Sequence, residues 1–319
     1  MTPDEALALL DRPAAEIFGA DEREARRRYH RLARLLHPDT GADATAFARL
    51  TAKWHAHTGG TVLTTRRGAY RVGARVARGD VADLFAVEDL SGAGGGLLLK
   101  LPRDPADSDL MDREATALRR LAERGDPRYL PYVPRLVESI KHDGRRGAIL
   151  SRDEGFHTLA EVAAARPGGL DPRDAAWMWR RLLVVLGFAH RAGVVHGAVL
   201  PGHVMIHPEM HGLVLVGWGQ SVTDPPGRVP LMVDAYAADY PPEIVAREPV
   251  TAAADVFLAT RCMTALMGPL LPPPMRAFAR GCTQPSPRLR PADAWALLGE
   301  LDELLDRMYG PRVFRPFTL

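Results

Sequence analysis

A helix that carries its charge on one face and stops at a proline leaves the chain little choice about what must cover its other face. Residues 21–36 read DEREARRRYHRLARLL and run directly into His37-Pro38-Asp39-Thr40. At about 100° per residue, Ala25, Tyr29, Leu32, Ala33 and Leu36 share one face. Arg23, Arg26, Arg27, His30, Arg31 and Arg34 share the opposite one. Asp21, Glu22 and Glu24 occupy the first turn, where the helix dipole favours negative charge. Pro38 ends the helix and starts a turn. Residues 44–57 then place Phe47, Leu50 and Trp54 at helical spacing. The pattern predicts two antiparallel helices with His37-Pro38-Asp39 at the connecting tip.

The rest of the chain changes period. Residues 58–68, TGGTVLTTRRG, read as a linker. Tyr70 to Val76, Val81 to Val87 and Leu97 to Leu101 are short apolar or alternating runs, as strands require. The glycine run at 92–96 leads into LLLKL, a strand, and phosphate-cradling loops lead into helices, so a hairpin turn is expected there. A helix is predicted over 109–124, and two strands over Val133 to Leu150 with a turn at His142-Asp143-Gly144. From Leu159 onward helices dominate: 174–192 is mostly apolar, and further helices are expected over 251–267, 272–281 and 291–308. A short strand–turn–strand at 204–216 interrupts them.

Composition excludes several classes. The 319 residues carry a net charge of +2 and are 46% hydrophobic and 25% charged, which gives no general drive toward nucleic acid or membrane. No run reaches the ~18 apolar residues of a membrane span, the acidic start MTPDEALALLDRP lacks a signal peptide's basic region, and a cytoplasmic location is expected. Cys262 and Cys282 match no metal spacing and no disulfide framework. Of 41 basic residues only Lys53, Lys100 and Lys141 are lysine, so each retained lysine draws attention. His190, His196, His203, His207 and His211 cluster in sequence, but 203–211 is strand and turn and only Glu209 accompanies them, so zinc is an outside reading.

The basic helix, the intact His37-Pro38-Asp39 tip and the preceding Ile17-Phe18-Gly19 resemble the J-domain of DnaJ-type co-chaperones over about residues 12–58. The segment DRPAAEIFGA departs from that family's first helix. The resemblance implies that His37, Pro38 and Asp39, with Arg23, Arg27, Arg31 and Arg34, engage a DnaK-type chaperone and stimulate its ATP hydrolysis.

Residues 70–309 resemble a eukaryotic-type protein kinase domain. Lys100 stands where the family's third-strand lysine contacts ATP phosphates, and Glu114 where its helix partner sits. Tyr240-Pro241-Pro242-Glu243 resembles the APE motif, Asp255 the structural aspartate of the following helix, and Arg290 the arginine that pairs with the APE glutamate. The catalytic positions depart. His196-Gly197-Ala198 replaces His-Arg-Asp, so Ala198 stands for the catalytic base and His203 for the metal-binding asparagine. Gly217-Trp218-Gly219 replaces Asp-Phe-Gly, so Gly217 stands for the principal magnesium ligand. Of the glycine-rich loop only Gly79 remains. Loss of a positioned base alone costs about 10²–10⁴-fold in rate, and phosphoryl transfer also needs the metal.

The resulting expectation is an α+β chain: an all-α J-domain hairpin (1–58), a linker (59–69), a β-rich kinase-like N-lobe (70–155), an α-helical C-lobe (156–309) and a tail (310–319). The reading is a non-catalytic pseudokinase adaptor with no resident cofactor, partnered by a DnaK-type chaperone and an unidentified client or assembly protein. Two uses of Lys100 and Glu114 stay open, weak magnesium-independent ATP binding or a structural ion pair, and the lost glycines favour the second. The alternative is a divergent ATP-binding serine/threonine-type kinase or regulatory scaffold with a J-like anchoring segment. In that case Asp224, Asp234 or Asp239 would be a migrated catalytic acid. Trp177 and Trp179, two apart on a helix, face different sides, which leaves a surface contact open with core packing the default, and the tail YGPRVFRPFTL reads as packing or as a docking segment.

Overall fold

The computed structural model describes residues 2–37, 43–58, 61–91 and 96–319. Pro38 and Asp39, the first residues of the expected linker and most of the glycine run lie outside the described residues. The chain forms two compact units, residues 1–101 and 102–319.

The first unit begins with four helices: α1 (Pro3–Leu9), α2 (Ala14–Phe18), α3 (Glu22–Leu35) and α4 (Ala44–Thr58). Asp21 caps α3 by accepting from the Glu24 amide at 2.8 Å. The two faces of α3 separate as its pattern requires. Ala25, Leu32 and Leu36 are buried with Phe18, Ala46 and Leu50, while Arg23, Arg27, Arg31 and Arg34 are exposed. Trp54 of α4 joins three helices, stacking on Tyr29 at 4.7 Å and meeting Phe18 edge-on at 5.1 Å. Ala6 and Leu10 also enter this core, so the helical module starts before residue 12.

Four strands follow among the described residues: β1 (Thr61–Thr64), β2 (Ala69–Arg78), β3 (Ala82–Asp89) and β4 (Leu97–Pro102), adjacent in that order. The stretch expected as a linker is therefore partly a strand: Thr61–Thr64 pairs antiparallel with Val72–Ala69. Its alternation is only four residues long and borders exposed arginines, too short to separate from a loop by period alone. In β4 the pleat buries Leu97, Leu99 and Leu101 on one face and turns Lys100 to the other.

The second unit opens with α5 (Ser108–Arg124) and the hairpin β5 (Leu136–His142) and β6 (Arg145–Ser151). Asp143 and Gly144 both take positive φ at its tip, as a two-residue turn of this hand requires. Strand β7 (His157–Thr158) leads into α6 (Leu159–Ala165) and the central helix α7 (Pro172–Arg191). After β8 (Val194–Val195) come β9 (Val204–His207), β10 (Gly212–Leu215) and β11 (Val222–Thr223). Strands β10, β9 and β7 form one small sheet, and β11 pairs with β8. The helices α8 (Pro242–Val245), α9 (Ala252–Met267), α10 (Pro273–Cys282) and α11 (Ala294–Tyr309) complete it. Helix α7 packs against both α9 and α11. Trp177 is buried against His211 and Phe317 and Trp179 against Phe278 of α10, so the default core reading holds for both and the surface contact does not.

One ion pair ties α8 to the segment before α11. The Arg290 guanidinium donates to both Glu243 oxygens at 2.6 and 2.9 Å, and to the carbonyls of Gln284, Pro285 and Ala253. Its plane lies over the Phe257 ring at 4.8 Å. Both side chains are essentially inaccessible to solvent. Five donors and five acceptors make this burial tolerable, and breaking one side leaves an uncompensated charge. Arg290→Met should lower unfolding free energy by about 3–5 kcal/mol in urea titration. Combining it with Glu243→Leu should cost clearly less than the sum of the two single changes.

Candidate functional site

The residues that stand for the kinase catalytic loop lie in the second unit, between β8 and β9. Their anchor is Asp255 of α9. Its carboxylate is wholly buried and accepts from the His196 amide at 2.7 Å, the Gly197 amide at 2.8 Å and His190 Nε2 at 2.9 Å. Burial pulls this carboxyl's pKa upward, but the His190 hydrogen bond, the electrostatic influence of the nearby imidazoles and the Gly197 amide outweigh it and hold it below the ordinary range. Gly197 takes φ +77°, and a Cβ there would approach the Gln220 carbonyl to 2.8 Å. Glycine at 197 is thus a packing requirement of this loop.

Hydrogen bonds assign both histidines. His196 Nε2 lies 2.9 Å from the Val216 carbonyl, which can only accept, and His196 Nδ1 accepts from the Ala198 amide at 3.2 Å. His203 Nδ1 donates to the Ala198 carbonyl at 2.7 Å. Both backbone groups of Ala198 are therefore engaged, and its methyl is fully buried. A carboxylate at 198 would have to be accommodated in that enclosed space.

Gly217 completes the arrangement. It takes φ +83°, and a Cβ on it would lie 2.6–2.8 Å from three atoms of the His203 ring. The imidazole thus occupies the space into which a side chain at 217 would extend. Val216 donates to the His203 carbonyl at 2.8 Å, tying the two loops through backbone as well. Trp218 is buried, donates to the Leu215 carbonyl at 2.8 Å and meets His196 edge-on at 4.6 Å. Helix α5, which carries buried Glu114, packs on the turn 218–220; Gly219 permits this, since a Cβ there would sit 3.1 Å from the Leu110 carbonyl.

Ala198, His203 and Gly217 are thus brought together, and the cluster presents imidazole, methyl and backbone. It offers no carboxylate or amide oxygen from these three positions, the donors that magnesium prefers. Glu209 is exposed in the β9–β10 turn. The other acids considered are committed or remote from such work. Asp224 makes a two-pronged pair with Arg120, Asp239 binds Arg261 at 2.9 Å, and Asp234 is exposed. Among the described residues no group of three or more histidine, cysteine or acidic side chains could hold a metal. Three of the clustered imidazoles instead serve Asp255, Val216 and Ala198.

In the first unit, the Gly79 amide donates to the Ala82 carbonyl at 2.8 Å, closing the β2–β3 turn. Lys100 is half-buried on β4. His37 lies at the end of α3 with its ring edge-on to Phe47 of α4 at 5.1 Å. Among the described residues, Arg23, Arg27, Arg31 and Arg34 make no ion pair, whereas neighbouring Arg28 is held by Glu24 at 2.5 Å. Two features escaped the sequence reading. His190 as a partner of Asp255 had no signal beyond helical spacing, and the His203 ring over Gly217 needed the fold to be seen.

Two outcomes follow. Gly217→Ala should destabilise the protein by about 1–3 kcal/mol in urea titration, and His203→Ala in the same chain should recover the steric part. For Asp255, a folded pKa below the unfolded value contributes stability that is complete above about pH 4 and is lost as pH falls through the folded value. The deficit of Asp255→Asn against wild type should therefore be largest above pH 4 and shrink on acidification, read from unfolding midpoints.

No protein-family model matches the sequence. The fold does have solved counterparts. The PknI kinase domain of Mycobacterium tuberculosis (C20A mutant) superposes with a TM-score of 0.58 at 17% identity, covering 77% of this chain and 97% of that one. The BubR1 kinase domain superposes with a TM-score of 0.60 at 14% identity, covering 77% of this chain and 83% of that one. At these identities the likeness establishes architecture alone: the greater part of the chain has a protein-kinase-like fold.

Proposed function

We propose that this protein is a non-catalytic adaptor in which an N-terminal J-domain stimulates a DnaK-type chaperone and the kinase-like body selects a client or assembly partner. The observation that carries the non-catalytic half is the His203 imidazole seated against Gly217. The position that should supply the magnesium ligand has no side chain, and the position that should supply the second ligand fills the gap. With Ala198 buried and both its backbone groups engaged, a metal and a base are missing at one place. Magnesium-dependent phosphoryl transfer has no support there. Lys100 and Glu114 then serve architecture, with no role in turnover.

The chaperone half is supported by α3. Its exposed arginines Arg23, Arg27, Arg31 and Arg34 present uncompensated positive charge beside His37, as steering toward an acidic surface requires. These side chains leave the helical core undisturbed, so they are available to a partner.

The decisive measurement is the ATPase rate of a DnaK-type chaperone with the full chain. Wild type should stimulate it and His37→Gln should abolish the stimulation; no stimulation by wild type would sink the co-chaperone role. Radiolabelled ATP with a generic protein substrate should give no incorporation above a Lys100→Ala control. A melting-temperature rise with millimolar ATP that magnesium enlarges would contradict the closed metal site.

A further inference from the structure

The last ten residues do two different things. Phe317 is buried in the helical core, near the Trp177 ring at 6.3 Å, and the Thr318 carbonyl accepts from Arg166 at 2.7 Å. Arg315 lies 3.5 Å from Asp171 and 3.7 Å from Asp174 at the start of α7. These contacts pin the tail, so the packing reading holds for its end. Between Gly310 and Arg315, however, Val313 is 77% and Phe314 62% exposed. An ordered segment that turns two large apolar side chains outward leaves hydrophobic free energy unclaimed unless something covers them.

What surrounds them narrows the choice. Phe314 lies 4.4 Å from the His211 ring, which stacks on Trp177 at 4.1 Å with planes 7° apart. Met210, next to His211, is 67% exposed. A cleft of about 190 Å³ opens here, and its charged lining is entirely arginine: Arg173, Arg180, Arg312 and Arg315. Asp171 holds Arg173 at 2.8 Å and Asp302 holds Arg180 from outside the lining, which orients those forks, while Arg312 has no acidic partner among the described residues. Burial lowers the affinity of His211 for a proton, and the positive charge of Arg181 and Arg312 lowers it further. The cleft is below the ~300 Å³ at which small-molecule sites usually begin, which suits a single inserted side chain.

We propose that this face, built by α7, the β9–β10 turn and residues 310–315, docks an acidic linear segment of a partner protein that inserts one aromatic or aliphatic side chain beside Phe314 and His211. Carboxylates flanking the inserted residue pair with the arginine forks, whose geometry favours two-pronged contacts. The apolar anchor covers Val313, Phe314 and Met210. The surface uses neither the catalytic-loop residues nor the basic helix, so it stands apart from the chaperone reading and fails or survives separately.

The test is fluorescence anisotropy of the full chain with a labelled peptide, Gly-Asp-Glu-Asp-Phe-Glu-Asp-Glu-Gly, at low salt. Saturable binding should weaken as salt rises. Arg312→Glu and Phe314→Ala should each weaken it about tenfold or more, and replacing the peptide's phenylalanine by glycine should do the same. Both positions are exposed, so unchanged melting temperatures would show that the fold is intact. Absent binding, or binding indifferent to both variants or to loss of the phenylalanine, overturns the proposal. Capture of phosphatidylserine vesicles that depends on Arg312 and Phe314, with no peptide binding, would assign the face to a lipid surface and overturn it equally.

Discussion

A single buried carboxylate organises the loop between β8 and β9. Asp255 reaches from α9 to take two successive amides and the His190 ring, and so fixes where the chain turns after β8. A charge so deep is tolerable only because its lone pairs are met by donors. Everything downstream inherits that geometry: His196 is aimed at Val216, Ala198 is held from both sides, and His203 is set over Gly217.

A second buried carboxylate does comparable work between helices. The Glu243–Arg290 pair and Asp255 hold helices and loops together, and both keep full hydrogen-bond complements. Ala198, His203 and Gly217 sit together, and the His203 ring fills the space that a side chain at 217 would need. A side chain introduced at 217 alone therefore meets a steric obstacle.

Much of this was legible in the chain. The face of α3, the β5–β6 turn at Asp143-Gly144 and the long buried helix α7 carry short-range signals of periodicity or turn residues, whereas Glu243, Asp255 and Arg290 stood out only through the resemblance to kinase motifs. Strand β1 was not, because four residues of alternation look like a loop until β2 pairs with them. What covers Trp177 and Trp179 was hidden as well. Two positions apart on a helix face different directions, and only the fold sets His211 and Phe317 against one ring and Phe278 against the other.

The sequence by itself determined which chemical groups were present: arginines on one helical face, a run of histidines, and a tail with aromatic residues between arginines. Those are inventories, and local physics suffices to read them. Only the tertiary structure decided how the groups are spent. It placed His203 in the space left by Gly217, drew His190 from a run of histidines to Asp255, and split the tail into a buried Phe317 and an exposed Phe314. The reason is distance along the chain. Each of these relations joins residues separated by tens of positions or depends on what packs across from them, and no local pattern encodes that.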